Sequence, residues 1–218
     1  MIESRGERLR LPKGDSAYDR PLSFGWPRDY REVQSERELA NIHGTFYELP
    51  LERNELPPLF QKLRPISSHN KQIADFATWN GLLVMSGVAQ NAAEDGHVYK
   101  SDDGEEALWF GGIDDLWKLG KPVGIGGPWK DTAVKAGELS DPYLMTGYDK
   151  KRLRLSADKS VEITLEVNFD HFGYYAHRTF RVAAGETVEF DFPNGFSAHW
   201  VRLVASEDCV ATATFIYE

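Results

Sequence analysis

Glycoside hydrolysis needs two carboxyl groups facing each other across a cleft, roughly 5–9.5 Å apart. Four acids have settings that suit such a role: Glu48, Asp75, Asp115 and Asp131. Glu48 follows Thr45-Phe46-Tyr47, a strand-like aromatic run in which an acid needs a reason. Asp75 lies in IADFATW among apolar residues, and Asp131 follows Pro128-Trp129-Lys130, with Lys130 at hand as a partner. Each has a plainer alternative as a structural hydrogen-bond acceptor or a surface residue. His69 is the candidate proton carrier. With His43 nearby and Arg64 or Tyr143 as helpers, it would suit proton abstraction beside a uronate, the lyase alternative. Asp115 and the rings of Trp79, Trp117, Trp129 and Tyr143 are the substrate-binding candidates. Aromatic faces stack on the apolar face of a sugar, while acids accept its hydroxyls.

Other chemistries lack their signatures. His43, His69, His97, His171, His177 and His199 show no HxH or HExxH spacing, so no metal site is expected. Asp170 with His171 and His177 leaves a metal alternative beside the simpler one, an aromatic loop around FGYYA. There is no GxSxG motif and no P-loop. Gly124-Ile125-Gly126-Gly127 runs into Pro128 and Trp129, where a dinucleotide site would start a helix. No cofactor is expected. The single cysteine, Cys209, cannot form an intrachain disulfide and lies in a strand-like run as a buried thiol.

These residues concentrate around His97–Asp131, which holds three of the six tryptophans. From Glu94 to Asp115 the chain carries eight acids against one cation, Lys100. Six glycines between Gly111 and Gly127 exclude a long helix, since each costs about 1 kcal/mol relative to Ala. Two readings remain open: core tryptophans beside solvated acidic turns, or aromatic faces and acids arranged for a sugar. The second half, Asp114–Asp131, has no simple strand pattern and is expected as a loop over a site.

The supporting elements are strands. Residues 1–31, broken by Pro12, Pro21 and Pro27, read as an extended arm anchored by Trp26 and Tyr30. Residues 32–42 fit a short helix, with Ser35 and Glu38 at capping-box spacing, or else strand and turn. Thr45-Phe46-Tyr47 favours a strand. Asn80-Gly81 joins two strands, Ile73–Trp79 and Leu82–Val88, and the second is apolar enough to be buried on both faces. Short strands follow at His97–Ser101 and Leu108–Phe110. From about Lys150 the alternation becomes regular, as in Val161, Ile163, Leu165, Val167 and Phe169, and predicts six strands of a small antiparallel sandwich. The expected organisation is therefore all-β. Residues 1–148 form antiparallel hairpins, propeller-blade-like or sandwich, and 149–218 a small antiparallel β-sandwich.

Bulk composition narrows the partners. The 218 residues are 41% hydrophobic and 12% aromatic, which argues for a folded core. A net charge of −9 disfavours nucleic acid and an anionic membrane surface. No apolar run approaches the ~20 residues of a membrane-spanning helix. The first residues, MIESRGERLRLPKG, lack the apolar stretch of a signal peptide. Location is thus cytoplasmic from this sequence, or secreted or periplasmic for a piece of an exported protein.

The run Tyr99-Lys100-Ser101-Asp102-Asp103-Gly104 resembles the start of an Asp-box, the turn motif of sialidase-like β-propellers. Glu105 replaces the usual second glycine, and Trp109 comes one residue late. An Asp-box fixes a hairpin and is not catalytic, so the resemblance removes Asp102 and Asp103 from the catalytic candidates. More broadly, HGTFYELP, the hairpin at 73–88, SDPYLMTGYDKK and GFSAHWVRLVA are similar to the C-terminal region of large bacterial polysaccharide-utilisation proteins with propeller and sandwich parts. That resemblance implies a carbohydrate partner and a glycoside hydrolase or its terminal portion. The alternatives are a non-catalytic carbohydrate-binding domain and a segment that completes a larger propeller. A propeller needs at least four blades. Residues 1–145 would supply two or three, so either an N-terminal portion is missing, or the chain folds as a double-layer β protein or homo-oligomer.

Overall fold

Alternation of apolar and polar residues puts every second side chain on one face of a strand. Among the described residues that pattern wins almost everywhere, and helix is confined to the 3₁₀ turns Ser16–Asp19, Leu59–Lys62 and Ile113–Lys118. The computed structural model describes residues 1–4, 6–23, 25, 28–33, 37–49, 59–69, 71–89, 91–93 and 95–218. Trp26, Pro27, Ser35 and Glu94, named above, lie outside them. The fold is all-β, built of antiparallel sheets that form no closed barrel among the described residues. It divides into two compact units: Lys13–Asn54 with Leu63–Pro122, and Met1–Pro12 with Glu55–Lys62 and Val123–Glu218.

In chain order a small ribbon comes first, β1 (Ile2–Ser4) with β2 (Glu7–Leu9). The double-sheet unit follows. Its first sheet is a meander of β3 (Arg28–Val33), β4 (Arg37–Ile42), β5 (Thr45–Leu49) and β6 (Arg64–Ser68). The helix considered for 32–42 is therefore replaced by two strands. β4 is paired on both sides, and this ladder outweighs a local helix preference. The second sheet contains β7 (Phe76–Trp79), β8 (Leu82–Met85), β9 (Val98–Lys100) and β10 (Ala107–Gly111), in the order β7-β8-β10-β9. Asn80 (φ 46°) and Gly81 (φ 84°) make the tight turn expected of this pair. Leu39, Phe46 and Ile66 from one sheet share a core with Phe76, Leu83, Met85 and Trp109 from the other. Only alternate residues of β8 reach that core. Leu82 is 39% exposed, so β8 is not buried on both faces as its composition suggested.

The second unit is a sandwich of two four-stranded sheets. Its strands are β11 (Gly124–Val134), β12 (Tyr143–Leu144), β13 (Lys151–Ala157), β14 (Val161–Asn168), β15 (Tyr175–Val182), β16 (Thr187–Asp191), β17 (Trp200–Ala205) and β18 (Cys209–Tyr217). One sheet has the order β11-β18-β13-β16 and the other β12-β17-β14-β15. The six strands expected after residue 149 are joined by β11 and β12 from upstream. β11 is a correction to the loop expected up to Asp131. It hides from pattern reading because its register against β18 shifts twice, between Gly126 and Trp129 and between Trp129 and Thr132. Gly127 permits the approach: a Cβ there would lie 1.8 Å from the Ala213 carbonyl oxygen.

The N-terminal arm is strapped to the sandwich. The Arg10 N–H donates to the Pro142 carbonyl at 2.8 Å, and the Leu144 N–H donates to the Arg10 carbonyl at 3.0 Å. The buried Trp200 donates its indole N–H to the Gln61 carbonyl at 2.7 Å. Within the core, Phe215 is fully buried and stacks on Tyr143 with ring centroids 5.1 Å apart. Truncating such a ring leaves a cavity. Phe215→Ala is expected to lower the stability of the sandwich by about 3–5 kcal/mol, read from urea unfolding. A loss under 1 kcal/mol would show that the stack is not a core element.

Candidate functional site

The acids named from the sequence are held by neighbours. Asp75 receives a two-pronged ion pair from Arg31, at 2.9 Å to Oδ1 and 2.7 Å to Oδ2, and its Oδ1 also accepts the Phe76 N–H. Glu48 lies 3.8 Å from Arg37, whose Nη1 reaches Asp114 at 3.2 Å. Asp115 accepts the Gly112 N–H at 2.7 Å and Lys118 Nζ at 2.6 Å, which ties down the start of the Ile113–Lys118 turn. Lys118 and then the Gly112 amide hold its carboxyl below the usual range. Asp131 belongs to the sandwich unit. There it sits at φ 46° on the β11 irregularity, held by Thr212 rather than Lys130: its N–H donates to Thr212 Oγ1 at 2.9 Å, and that hydroxyl donates back to Asp131 Oδ1 at 3.1 Å. Asp103 fixes its own turn, accepting the Ser101 hydroxyl and the Glu105 N–H.

His69 is buried. Its Nε2–H donates to Asn41 Oδ1 at 2.9 Å, and Nδ1 accepts the Lys71 N–H at 3.3 Å. Burial first, then the charge of Lys71, lowers its pKa to about 4. Asn41 stands directly opposite Asp29 across the β3–β4 ladder. Burial, then the charge of Asp75, raises the pKa of Asp29 against the pull of Arg31. Asp75 and His69 therefore reach one neighbourhood through Asp29 and Asn41, an acid and an amide that sequence reading did not single out. The Asp29 Oδ2 and Asn41 Nδ2 atoms are buried there without a hydrogen-bond partner.

The aromatic candidates separate by burial. Trp129 and Tyr143 are 5% and 1% exposed and belong to the sandwich core. Trp117 is 47% exposed on its 3₁₀ turn, and Trp79 is 61% exposed at the β7–β8 tip. Trp79 is not alone. Register places Ala77, Trp79, Leu82, Val84, Leu108, Phe110 and Tyr99 on the outward face of the β7-β8-β10-β9 sheet. Their alternates Phe76, Leu83, Met85 and Trp109 fill the core. Phe110 meets Trp79 edge-on at 6.2 Å and Tyr99 edge-on at 5.4 Å, with Tyr99 itself 59% exposed. Asn80 flanks one end of this row and the acidic turn Asp102–Glu106 the other. The signal for Tyr99 and Phe110 was present in the sequence as strands apolar on both faces, which a one-sided sheet does not need.

No protein-family model and no curated protein matches the chain. One solved structure, described as "CBM4 structure and function", aligns over 69% of this chain and 75% of its own, at 11% identity and a TM-score of 0.19. That likeness is too slight to carry an argument. Among the described residues no helix is long and apolar enough to cross a membrane, and no group of three His, Cys, Asp or Glu could hold a metal ion.

The His69 environment yields a pH signature. A histidine whose folded pKa is depressed binds fewer protons folded than unfolded, so it stabilises above its ordinary value of 6.5 and that contribution is lost as pH falls towards about 4. The full loss is roughly 3 kcal/mol. His69→Gln is expected to flatten the decline in unfolding free energy between those two values. Parallel declines in variant and wild type would show that His69 does not carry it.

Proposed function

We propose that this chain binds carbohydrate without hydrolysing it, through the outward face of the β7-β8-β10-β9 sheet. The observation that carries the reading is the contact row Trp79–Phe110–Tyr99, drawn from three strands and left open to solvent. The C–H face of a pyranose is apolar and weakly positive, so it stacks on the negative face of an aromatic ring. Hydroxyls at the sugar's rim have acceptors and donors at both ends of the row, in Asn80 and the Asp102–Glu106 turn.

Size points the same way. Strands lie about 4.8 Å apart and rise about 3.4 Å per residue, so four short strands present a face of only ~200 Å². A stable protein interface takes about 800 Å² from each partner. The face suits a few sugar rings better than another folded chain. The rings are also pre-ordered by their strands, which reduces the entropy lost on binding.

Hydrolysis has weaker support. The nearest approach to an acid–base pair is Asp29 beside Asp75, with Asp29 raised by burial and by the charge of Asp75. But Arg31 engages both oxygens of Asp75, and Asp29 Oδ2 is buried. Glu48 and Asp114 have Arg37 between them, and Asp131 belongs to the other unit.

Trp79→Ala and Tyr99→Ala are each expected to weaken retention on insoluble polysaccharide at least ~10-fold, about 1.4 kcal/mol. Asp75→Asn should leave retention unchanged, and no variant or wild type should release reducing sugar. Retention undiminished by both ring truncations together would remove this face as the site. Release of reducing sugar that Asp75→Asn abolishes would replace binding with catalysis.

A further inference from the structure

A second exposed aromatic cluster lies in the sandwich unit, at the β14–β15 connection. Phe169 is 50% exposed, Phe172 90% and Tyr175 52%. Scattered exposed hydrophobes need no explanation. Three within seven residues are different, because burying such a ring is worth about 1.5–3 kcal/mol and this turn forgoes it.

The turn is held open by its own bonds. The His171 N–H donates to Asn168 Oδ1 at 2.9 Å, and the Phe172 N–H donates to Asp170 Oδ1 at 3.0 Å. The Tyr175 hydroxyl donates to Asp170 Oδ2 at 3.3 Å. His171 adopts φ 65°, a conformation that costs a residue with a side chain, and its ring lies 4.4 Å from that of His199. Tyr174 is the anchor. The Arg202 guanidinium lies 4.0 Å over its ring, and Arg202 is itself paired with Glu166 at 2.6 Å. Phe196 completes the cluster, 6.1 Å from Phe169 and 4.9 Å from His177. Its carbonyl accepts the ammonium of the buried Lys151 at 3.0 Å. Tyr174 inward and Phe172 outward is thus a built arrangement.

Polar groups are interleaved with the rings. The Asp170 carboxyl is held low, first by the Phe172 N–H, so it is an acceptor at any ordinary pH. The exposed His177 imidazole offers both a donor and an acceptor nitrogen when neutral. We propose that this turn is a second carbohydrate-contact site, which takes the apolar face of a pyranose on Phe172 and Tyr175 and its hydroxyls on Asp170 and His177. The inference rests on the carbohydrate reading of the chain but uses none of the residues that support it. Alternating rings and hydrogen-bonding groups match a sugar and do not match a lipid surface, and a chain of net charge −9 is repelled by anionic membranes.

The test uses the full chain, hexaoses of β-linked glucose, xylose and mannose, and calorimetric titration. Three variants are compared with wild type: Trp79→Ala with Tyr99→Ala, Phe172→Ala with Tyr175→Ala, and all four together. Phe172 and Tyr175 are exposed, so unchanged far-ultraviolet dichroism and melting are expected of their variant and are checked. The Trp79/Tyr99 variant should keep residual binding to one hexaose, and adding the other two substitutions should weaken it at least ~10-fold. Residual binding indifferent to Phe172 and Tyr175, or complete loss in the Trp79/Tyr99 variant alone, would overturn this site and leave the sheet-face reading standing. A wild type that binds no hexaose and no insoluble form of these polymers would overturn both.

Discussion

Strand β18 is paired on both edges, to β11 and to β13, and its register decides what the sandwich core contains. Side chains alternate along a strand, so a slip of one residue would send every core residue of β18 outward. In the observed register Cys209, Ala211, Ala213, Phe215 and Tyr217 all face inward. Small residues at one end admit the close approach of Gly127, and large ones at the other build the stack of Tyr143, Phe215, Tyr217 and Tyr148. Burial drives the Tyr217 hydroxyl well above its ordinary pKa. The outer strand β16 takes its place from this central register through β13.

Much of this was legible in the residues. The period-two pattern after Lys150 marked all six later strands, most plainly β13, β14, β17 and β18, whose burial alternates along the strand. Asn80-Gly81 marked its hairpin, because only a left-handed pair closes so tight a turn. β11 was not legible: its glycines and two register shifts erase the alternation, and its pairing partner lies some eighty residues away. The order β7-β8-β10-β9 was also hidden, since sequence neighbours usually pair and β8 with β9 do not. For the sites, a tryptophan at a hairpin tip pointed to exposure, and Trp79 is exposed. Tyr99 and Phe110 needed the register, and so did the fates of Trp129 and Tyr143. The carboxylates were the least readable, since a partner such as Arg31 for Asp75 is distant in sequence.

The two units handle polar groups differently. The sandwich hides one charge, Lys151, and satisfies it with backbone carbonyls from Tyr148 and Phe196. Burial lowers the pKa of that lysine against the opposing charge of Asp149. Among the described residues the buried polar side chains of the double-sheet unit are all neutral, Asn41, Thr45, Ser67 and His69, whereas the sandwich buries neutral Ser140, Asn168 and His199 besides that lysine. A neutral amide and imidazole cost far less to desolvate than a charge, and most of their bonds are made locally. In the sandwich, Lys151 bonds the carbonyl of Phe196 and so ties down a residue of the aromatic cluster around Phe169.

The outward face of the β7-β8-β10-β9 sheet sets a condition on solubility. Strands apolar on both faces are the kind that recruit other chains edge to edge into fibrils. Here the two edge strands are β7 and β9, of four and three residues. Each offers too few free backbone groups to template a growing ladder, and the acidic turn beside β9 adds like-charge repulsion between neighbouring molecules. Brevity at the sheet's margins limits the edge-to-edge pairing that so much exposed aromatic surface would otherwise invite.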